Sequence, residues 1–451
     1  MDGKRESSSA TNKYFDSDVL DPCIHCGFCL PTCASYRVLG TEMDSPRGRI
    51  HTVKAIENGE VQLDATIAHH FDTCLGCFAC VSACPSGVHY DELIESIRPK
   101  LNEVGMRDPC QNLFRKLLLQ VLPYPKRLRT ILFALRNYSG SSFQKMLREF
   151  GLIKLFGKQL EAMEALMPPL IEASFADSFP EINPSKGPYR GRVGLVLGCV
   201  QRCFDPEVNQ ATLAVLQANG FEVVIPRQQG CCGAVAHHQG LMKETIELGK
   251  TLVENFGKPD NQSESDPLPA IDAVLIAASG CGHTMKAYGK LLGVENTFKV
   301  PVFDIHEFLT KKGLQKSFLE SLQPLGDSID ISEPYEVAYH DPCHMIHGQK
   351  ISQQPRKLLE AIPNLLIREV EEIGVCCGSA GIYNLVQPNE ANELGKIKVK
   401  DLKKTGASII SSANIGCTLQ IRRHLNNSLK VVHPMQLLAK SAGLYNSPSM
   451  N

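Results

Sequence analysis

Cys74-Leu75-Gly76-Cys77-Phe78-Ala79-Cys80-Val81-Ser82-Ala83-Cys84-Pro85 is a C-x2-C-x2-C-x3-C-P run, the bacterial-type ligand spacing of a [4Fe-4S] cluster. A second run stands upstream: Cys23, Cys26, Cys29 and Cys33. Two-residue gaps let a backbone wrap a cluster so that three thiolates meet three irons, and the fourth thiolate comes from the other run. On that rule Cys23, Cys26, Cys29 and Cys84 hold one cluster, and Cys74, Cys77, Cys80 and Cys33 the other. The alternatives are zinc and disulfides. Zinc usually takes separated pairs of ligands, which three evenly spaced cysteines plus a fourth fit poorly. One asymmetry stands out: proline follows Cys84, whereas Pro31 precedes Cys33.

The chain has 451 residues, a net charge of -1 and 43% hydrophobic residues. At roughly 100–200 residues per domain, two to four domains are expected. Near-neutral charge gives no support for nucleic-acid binding. Eighteen cysteines in a chain this long, clustered at C-x-x-C spacing, indicate metal and a reducing compartment instead of a small disulfide scaffold. Residues 1–14 are polar and do not read as a signal peptide. Apolar runs such as 273–278 fall far short of the ~20 residues of a membrane helix. The expected location is cytoplasmic.

Working outward, residues 1–20 read as a flexible arm and 21–98 as an α-helical ferredoxin-type domain. Asp44-Ser45-Pro46 offers an N-cap with proline at the first helical position. Ile50, Val53 and Ile56 recur at helical spacing up to the stop at Asn58-Gly59. A second helix is expected over 63–71. Arg47 and Arg49 lie between the runs. They would bias cluster potential by their charge, dock a partner, or sit as plain helix-start surface residues.

Residues 99–192 form a helical connector and linker, with Cys110 more often a small core hydrophobe than a ligand. Between 111 and 160 there are ten basic residues (Arg115, Lys116, Lys126, Arg127, Arg129, Arg136, Lys145, Arg148, Lys154, Lys158) and one acid, Glu149. Leucines and phenylalanines interleave. Basic amphipathic helices lie on anionic membrane faces, which makes a peripheral contact with the cytoplasmic membrane face one reading; the other is a solvated surface over packed helices. A proline-rich linker at 168–192 follows.

The composition then shifts. Strands are expected at 193–197, 221–225, 271–277, 335–340 and 408–411, with a helix at 209–219. Strands alternating with helices imply a parallel, doubly wound sheet with functional groups at the carboxyl ends of strands. The layout occurs twice. Domain 193–325 carries Cys199, Cys231, Cys232 and Cys281, with Cys203 nearby; domain 333–440 carries Cys343, Cys376, Cys377 and Cys417. The expected fold is therefore α + α/β: a helical ferredoxin domain with two [4Fe-4S] clusters, a helical connector, and two pseudo-symmetric doubly wound Cys-Cys-Gly halves facing a shared site. The glycine lets backbones approach closely. Vicinal cysteines rarely bridge each other, so a further Fe–S centre is favoured over zinc or no metal. His283, His340, His344 and His347 read as hydrogen-bond donors to sulfur more readily than as ligands.

The motifs Cys23-Ile24-His25-Cys26-Gly27-Phe28-Cys29, Ser45-Pro46-Arg47-Gly48-Arg49-Ile50, Gly230-Cys231-Cys232-Gly233-Ala234 and Cys376-Cys377-Gly378-Ser379-Ala380-Gly381 resemble those of the glycolate oxidase (glycolate/D-lactate dehydrogenase) iron-sulfur subunit. The likeness runs in order from about Asp21 to His433. It implies an electron-transfer subunit of a flavin-dependent 2-hydroxyacid dehydrogenase. A partner flavoprotein carrying FAD would oxidise glycolate to glyoxylate or (R)-lactate to pyruvate, and the electrons would pass through this chain to a quinone or other acceptor. No G-x-G-x-x-G follows a strand and opens a helix here, so no dinucleotide fingerprint of that form is present. Similar Cys-Cys-Gly halves occur in heterodisulfide reductase and in the anaerobic glycerol-3-phosphate dehydrogenase iron-sulfur subunit. Where the heterodisulfide pattern ends each repeat in C-x-x-C, this chain has Thr284 and Gln420, one thiolate fewer per half.

Overall fold

A computed structural model describes residues 20–257, 270–326, 334–425 and 428–444. The arm expected at 1–20 lies outside the described residues except for Leu20, which is buried.

The ferredoxin region is helical, as its sequence indicates. Helices run over Ala34–Leu39, Pro46–Glu57, Ala65–Asp72, Ala79–Ala83 and Tyr90–Val104. Ser45 caps the second of these: its Oγ accepts from the Gly48 N–H at 3.0 Å, with Pro46 at the first position. Asp64 caps the third through Ile67 N–H at 2.8 Å. The long helix Tyr90–Val104 presents Leu93, Ile94, Ile97 and Leu101 to the core, none more than 1% exposed. Each such side chain contributes roughly 1.5–3 kcal/mol by leaving water. They pack on Ile50, Val53 and Phe71, behind the cysteine loops.

The connector folds into short helices, chiefly Pro109–Val121, Pro125–Ala134, Ser142–Glu149 and Lys158–Ala165. It is tied down by carboxylates. Asp72 accepts from Arg107 at 2.7 Å and from Arg115 at 3.0 Å, and Asp177 accepts from Arg129 and Arg202 at 2.7 and 2.6 Å. Two of the basic residues that read as a charged surface, Arg115 and Arg129, are therefore spent on internal carboxylates, while Arg148 pairs with Glu164 and stays exposed. The proline-rich stretch is not bare linker: Ile182–Asn183 (β1) adds an antiparallel edge to the first sheet.

Two sheets follow. The first contains Gly191–Val196 (β2), Phe221–Val224 (β3), Ala273–Ile276 (β4) and Val302–Asp304 (β5), in the order β1-β3-β2-β4-β5. The second contains Tyr335–His340 (β6), Leu365–Arg368 (β7), Ile409–Ser412 (β8) and Lys430–Val432 (β9), in the order β7-β6-β8-β9. Apart from β1 every pairing is parallel, so each strand needs a covered crossover and both faces are buried. The sheets share one core. Val193, Leu195 and Leu275 join Val337, Tyr339 and Leu438 in a continuous apolar cluster. It runs through the packed helices Pro206–Ala218 and Pro434–Ser441.

Candidate metal centres

The two cysteine runs share one backbone course. The residue before the second cysteine is left-handed in both, His25 (φ 53°) and Gly76 (φ 59°), as is the residue after it, Gly27 (φ 85°) and Phe78 (φ 61°). The next turns also match: Leu30 N–H donates to Gly27 O and Cys33 N–H to Leu30 O, while Val81 N–H donates to Phe78 O and Cys84 N–H to Val81 O. Cys33 (φ −78°, ψ 114°) and Cys84 (φ −79°, ψ 115°) end in the same conformation, so the displaced proline changes nothing. Left-handed backbone at His25 and Phe78 carries a strain cost that concentrates at functional loops.

Cys23, Cys26, Cys29 and Cys84 line one cavity, which Cys80, Arg47 and Tyr90 also border. Cys33, Cys74, Cys77 and Cys80 are buried and lie within electrostatic reach of one another. The structure thus brings together both sets of four read from the runs. Burial pushes the Cys77 and Cys80 thiols far up and Cys29 to about 11. A bound cation restores the thiolate form of such groups. Backbone N–H groups already point at sulfur: Gly76 N to Cys74 Sγ and Val88 N to Cys84 Sγ, both at 3.4 Å. This set of donors suits iron–sulfur clusters.

The two arginines between the runs part company. Arg49 is 1% exposed and donates to Thr73 Oγ1 (2.9 Å), His70 O (2.7 Å) and Ser35 Oγ (3.2 Å). It is no surface residue. Asp44 sits beside it. Burial works against its charge, but hydrogen bonds from Thr41, Thr73 and His70 hold the carboxyl below its usual range. Arg47 stays at the surface, donating to His25 O at 3.2 Å over the first cavity.

In the sheet domains each cysteine follows the carboxyl end of a strand. Their sulfurs form two chains of the same kind. Cys199 meets Cys231 at 3.3 Å, Cys231 touches Cys232, and Cys232 touches Cys281. In the second domain Cys343, Cys376, Cys377 and Cys417 touch in that order. The hydrogen bond with Cys376 works to lower the Cys377 thiol, but the bond with Cys417 and burial outweigh it and push it well up. Gly233 and Gly378 explain the third letter of each motif: both have positive φ, and a Cβ on either would come within 2.9 Å of a backbone oxygen, Thr245 O or Ala391 O. All eight cysteines border a single cavity of about 770 Å³.

The histidines behave differently from the sulfur donors expected. His344 Nε2 meets Gly76 O at 2.9 Å. His347 meets Ser82 Oγ and Gly374 O at 2.8 and 3.0 Å. His340 is 1% exposed and its Nε2 has no hydrogen-bond partner. Burial drops its imidazole to about 3, so it stays neutral and keeps a free lone pair. One ring nitrogen of His340 and the sulfurs of Cys377 and Cys417 lie within 4.8 Å of one another, a buried N/S donor set suited to a soft metal. Aligning the two domains on their first cysteines reveals the signal in sequence: β6 ends in His340 where β2 ends in Val196. At the ends of the chains, Thr284 donates to Gly280 O (3.3 Å), and Gln420 bonds Asn384 and Ala391 O (3.1 and 2.8 Å). Neither offers sulfur.

The ferredoxin loop and the second domain are in direct contact. Cys77, Leu75 and Ala79 share an apolar cluster with Cys376 and Tyr383, with Cys343 packed against it. The His344 ring stacks on Phe78 at 5.2 Å and on His238 at 4.9 Å. Arg98, from the long ferredoxin helix, donates to Cys74 O at 2.7 Å. Sequence reading passed over Arg98 and His238, which carry no motif.

Cysteine loops of this kind, joined to sheet domains with duplicated Cys-Cys-Gly turns, define an iron–sulfur electron-transfer protein. Comparison with known families agrees: residues 19–88 match the 4Fe-4S dicluster domain, 193–286 and 337–422 the cysteine-rich domain, and 111–167 the linker region of the glycolate oxidase iron-sulfur subunit. The chain is 32% identical over 453 residues to the probable glycolate oxidase iron-sulfur subunit of Bacillus subtilis, covering 98% of this chain and 99% of that one. It is 31% identical to the glycolate oxidase iron-sulfur subunit of Escherichia coli, over 88% and 89% of the two chains. Lactate utilization protein A of Halalkalibacterium halodurans is 25% identical over 54% of this chain and 94% of its own. The chain belongs to the glycolate oxidase iron-sulfur subunit family.

Proposed function

We propose that this chain relays electrons within a flavin-dependent glycolate/D-lactate dehydrogenase complex. A partner subunit carrying FAD oxidises glycolate to glyoxylate or (R)-lactate to pyruvate, a two-electron step that needs such a carrier. Electrons enter at the cluster held by Cys23, Cys26, Cys29 and Cys84, whose loop exposes Ile24, Cys26 and Phe28 for a partner to cover. They pass to the cluster held by Cys33, Cys74, Cys77 and Cys80, then to a metal centre on the duplicated cysteines, and leave to a quinone-type acceptor. The parts correspond to a ferredoxin domain at 21–98, a connector at 99–192 and two pseudo-symmetric halves at 193–325 and 333–440. No helix among the described residues is long and apolar enough to cross a membrane; a cytoplasmic protein that touches the membrane face at its periphery fits this reading.

The observation that carries the proposal is the packing of Cys77 against Cys343 and Cys376, which joins both cysteine systems in one route. The test is anaerobic co-purification of the native complex, with iron, sulfide and flavin counted per chain, followed by freeze-quench EPR after glycolate is added. Sequential appearance of cluster signals supports the relay. A complex without flavoprotein, or clusters that glycolate leaves oxidised, overturns it. The rival disulfide-reducing role is disfavoured by the hydrogen-bonded Thr284 and Gln420, which stand where its extra thiolates are needed.

A further inference from the structure

The cavity that ends on the eight cysteines has a second wall that the relay leaves unused. Phe114, Leu118, Leu128, Leu132, Ile153 and Leu166 line it from the connector. About 770 Å³ of hollow space is the size of a ligand site, well beyond the voids of a packed core. Water finds few polar partners against such walls. The one carboxylate in the lining, Glu164, already accepts from Tyr138, Gln144 and Arg148 at 2.7–3.0 Å. Metal accounts for the cysteine floor alone. The leucine walls suit an apolar molecule that reaches a redox centre.

The outer face of the same helices indicates where such a molecule comes from. Phe150 and Leu155 are 73% and 80% exposed, and the turn Leu152–Phe156 buries none of its residues. Lys145, Lys154 and Lys158 flank them in the sequence, exposed and without an ion pair among the described residues, against one exposed acid, Glu149. Exposed apolar side chains interspersed with lysines along the chain match the interface of an anionic bilayer.

We propose, resting on the relay reading above, that this cavity is the acceptor site: it takes the ring and the first part of the tail of a membrane quinone, delivered from an anionic bilayer on which residues 143–158 lie. The quinone gains two electrons, one at a time, from the metal centre on the cysteines, and two protons from water, and leaves as quinol. Those electrons are the pair removed when the partner oxidises a 2-hydroxyacid to a 2-oxoacid, so the reaction balances without another reagent.

The test uses the full chain, loaded with clusters under anaerobic conditions. One arm measures fluorescence quenching of 2-heptyl-4-hydroxyquinoline N-oxide, a redox-inert quinone analogue. The other measures sedimentation with phosphatidylglycerol/phosphatidylcholine vesicles against phosphatidylcholine alone. Wild type quenches the analogue and pellets with the anionic vesicles. Leu135→Trp, which fills the cavity, weakens analogue binding about tenfold or more; Met163→Trp, on another wall, does the same should the first variant fold poorly. The double variant F150E/L155E, at residues outside the cavity lining, keeps analogue binding in solution but no longer pellets. Absence of analogue binding, equal binding by wild type and both tryptophan variants, or pelleting indifferent to the double change overturns the proposal. Iron content and cluster reduction by the partner with glycolate report on the relay separately: their loss in wild type would sink the relay reading, while their persistence without analogue binding would sink only the cavity.

Discussion

The two sulfur chains have the same order of contacts and unequal surroundings. Cys343 and Cys376 meet Cys77 of the ferredoxin loop, and His340 adds a nitrogen beside Cys377 and Cys417. The first chain has Val196 at the matching strand end, with Tyr288 Oη donating to Cys232 O at 2.8 Å and no ferredoxin cysteine against it. The cysteine-rich domain thus occurs twice, with the same order of sulfur contacts and different neighbours around each. On the proposed relay, electrons arriving from the ferredoxin side would reach the second chain first.

The strongest way to break this comparison is to remove one sulfur from each chain. Cys377→Ala is expected to abolish glycolate-driven reduction of the sheet-domain centre, with lower iron content per chain. Cys232→Ala should leave that first reduction intact in freeze-quench EPR. Equal loss in both would mean that the halves work as one centre. The next largest effect tests whether the ferredoxin loops depend on their buried cation. Arg49→Met removes the buried cation 3.5 Å from Asp44, which keeps only its hydrogen bonds from Thr41, Thr73 and His70, and breaking a buried ion pair costs about 3–5 kcal/mol. Denaturant unfolding should show that loss together with early bleaching of the clusters.

The glycines sharpen the claim of equal scaffolds. Gly233→Ala and Gly378→Ala both impose left-handed alanine and a 2.9 Å backbone clash. Each should cost roughly 2–4 kcal/mol, combining the left-handed penalty with overpacking. Costs that differ by more than about 1 kcal/mol would undo the equivalence. The smallest effect belongs to His340→Val, which makes the second chain resemble the first. It is expected to change the EPR g-values of that centre and to lower metal affinity roughly 10–100-fold, with little change in thermal stability. An unchanged spectrum would leave His340 as packing.

Much of this was legible in the chain. Cysteine spacing is read directly because ligand geometry demands it, and the strands that end in cysteines are apolar, bounded by glycine and placed as expected. Strands β5, β7 and β9 escaped because three or four residues at a sheet margin carry no clear period; the residues of β7 alternate between exposed and half-buried. Arg49 read equally well as a helix-start surface residue, since no local pattern announces that Ser35, Asp44 and Thr73 will converge on it from elsewhere. The sequence marks His340 only as a neighbour of the cysteines; that its ring nitrogen meets Cys377 and Cys417 follows only once distant strands pair. The hollow under the connector left no trace at all. Helical periodicity tells which side chains turn inward; it does not tell whether they meet.

The loop around Cys26 carries a consequence for handling and assembly. Its apolar tip, with Ile24 69% and Phe28 64% exposed, stands open in the free subunit, so dissolved oxygen reaches the outermost ligands before any others. The solitary polypeptide should therefore lose its brown colour in air faster than the assembled complex. The partner would then serve as a shield as well as a donor.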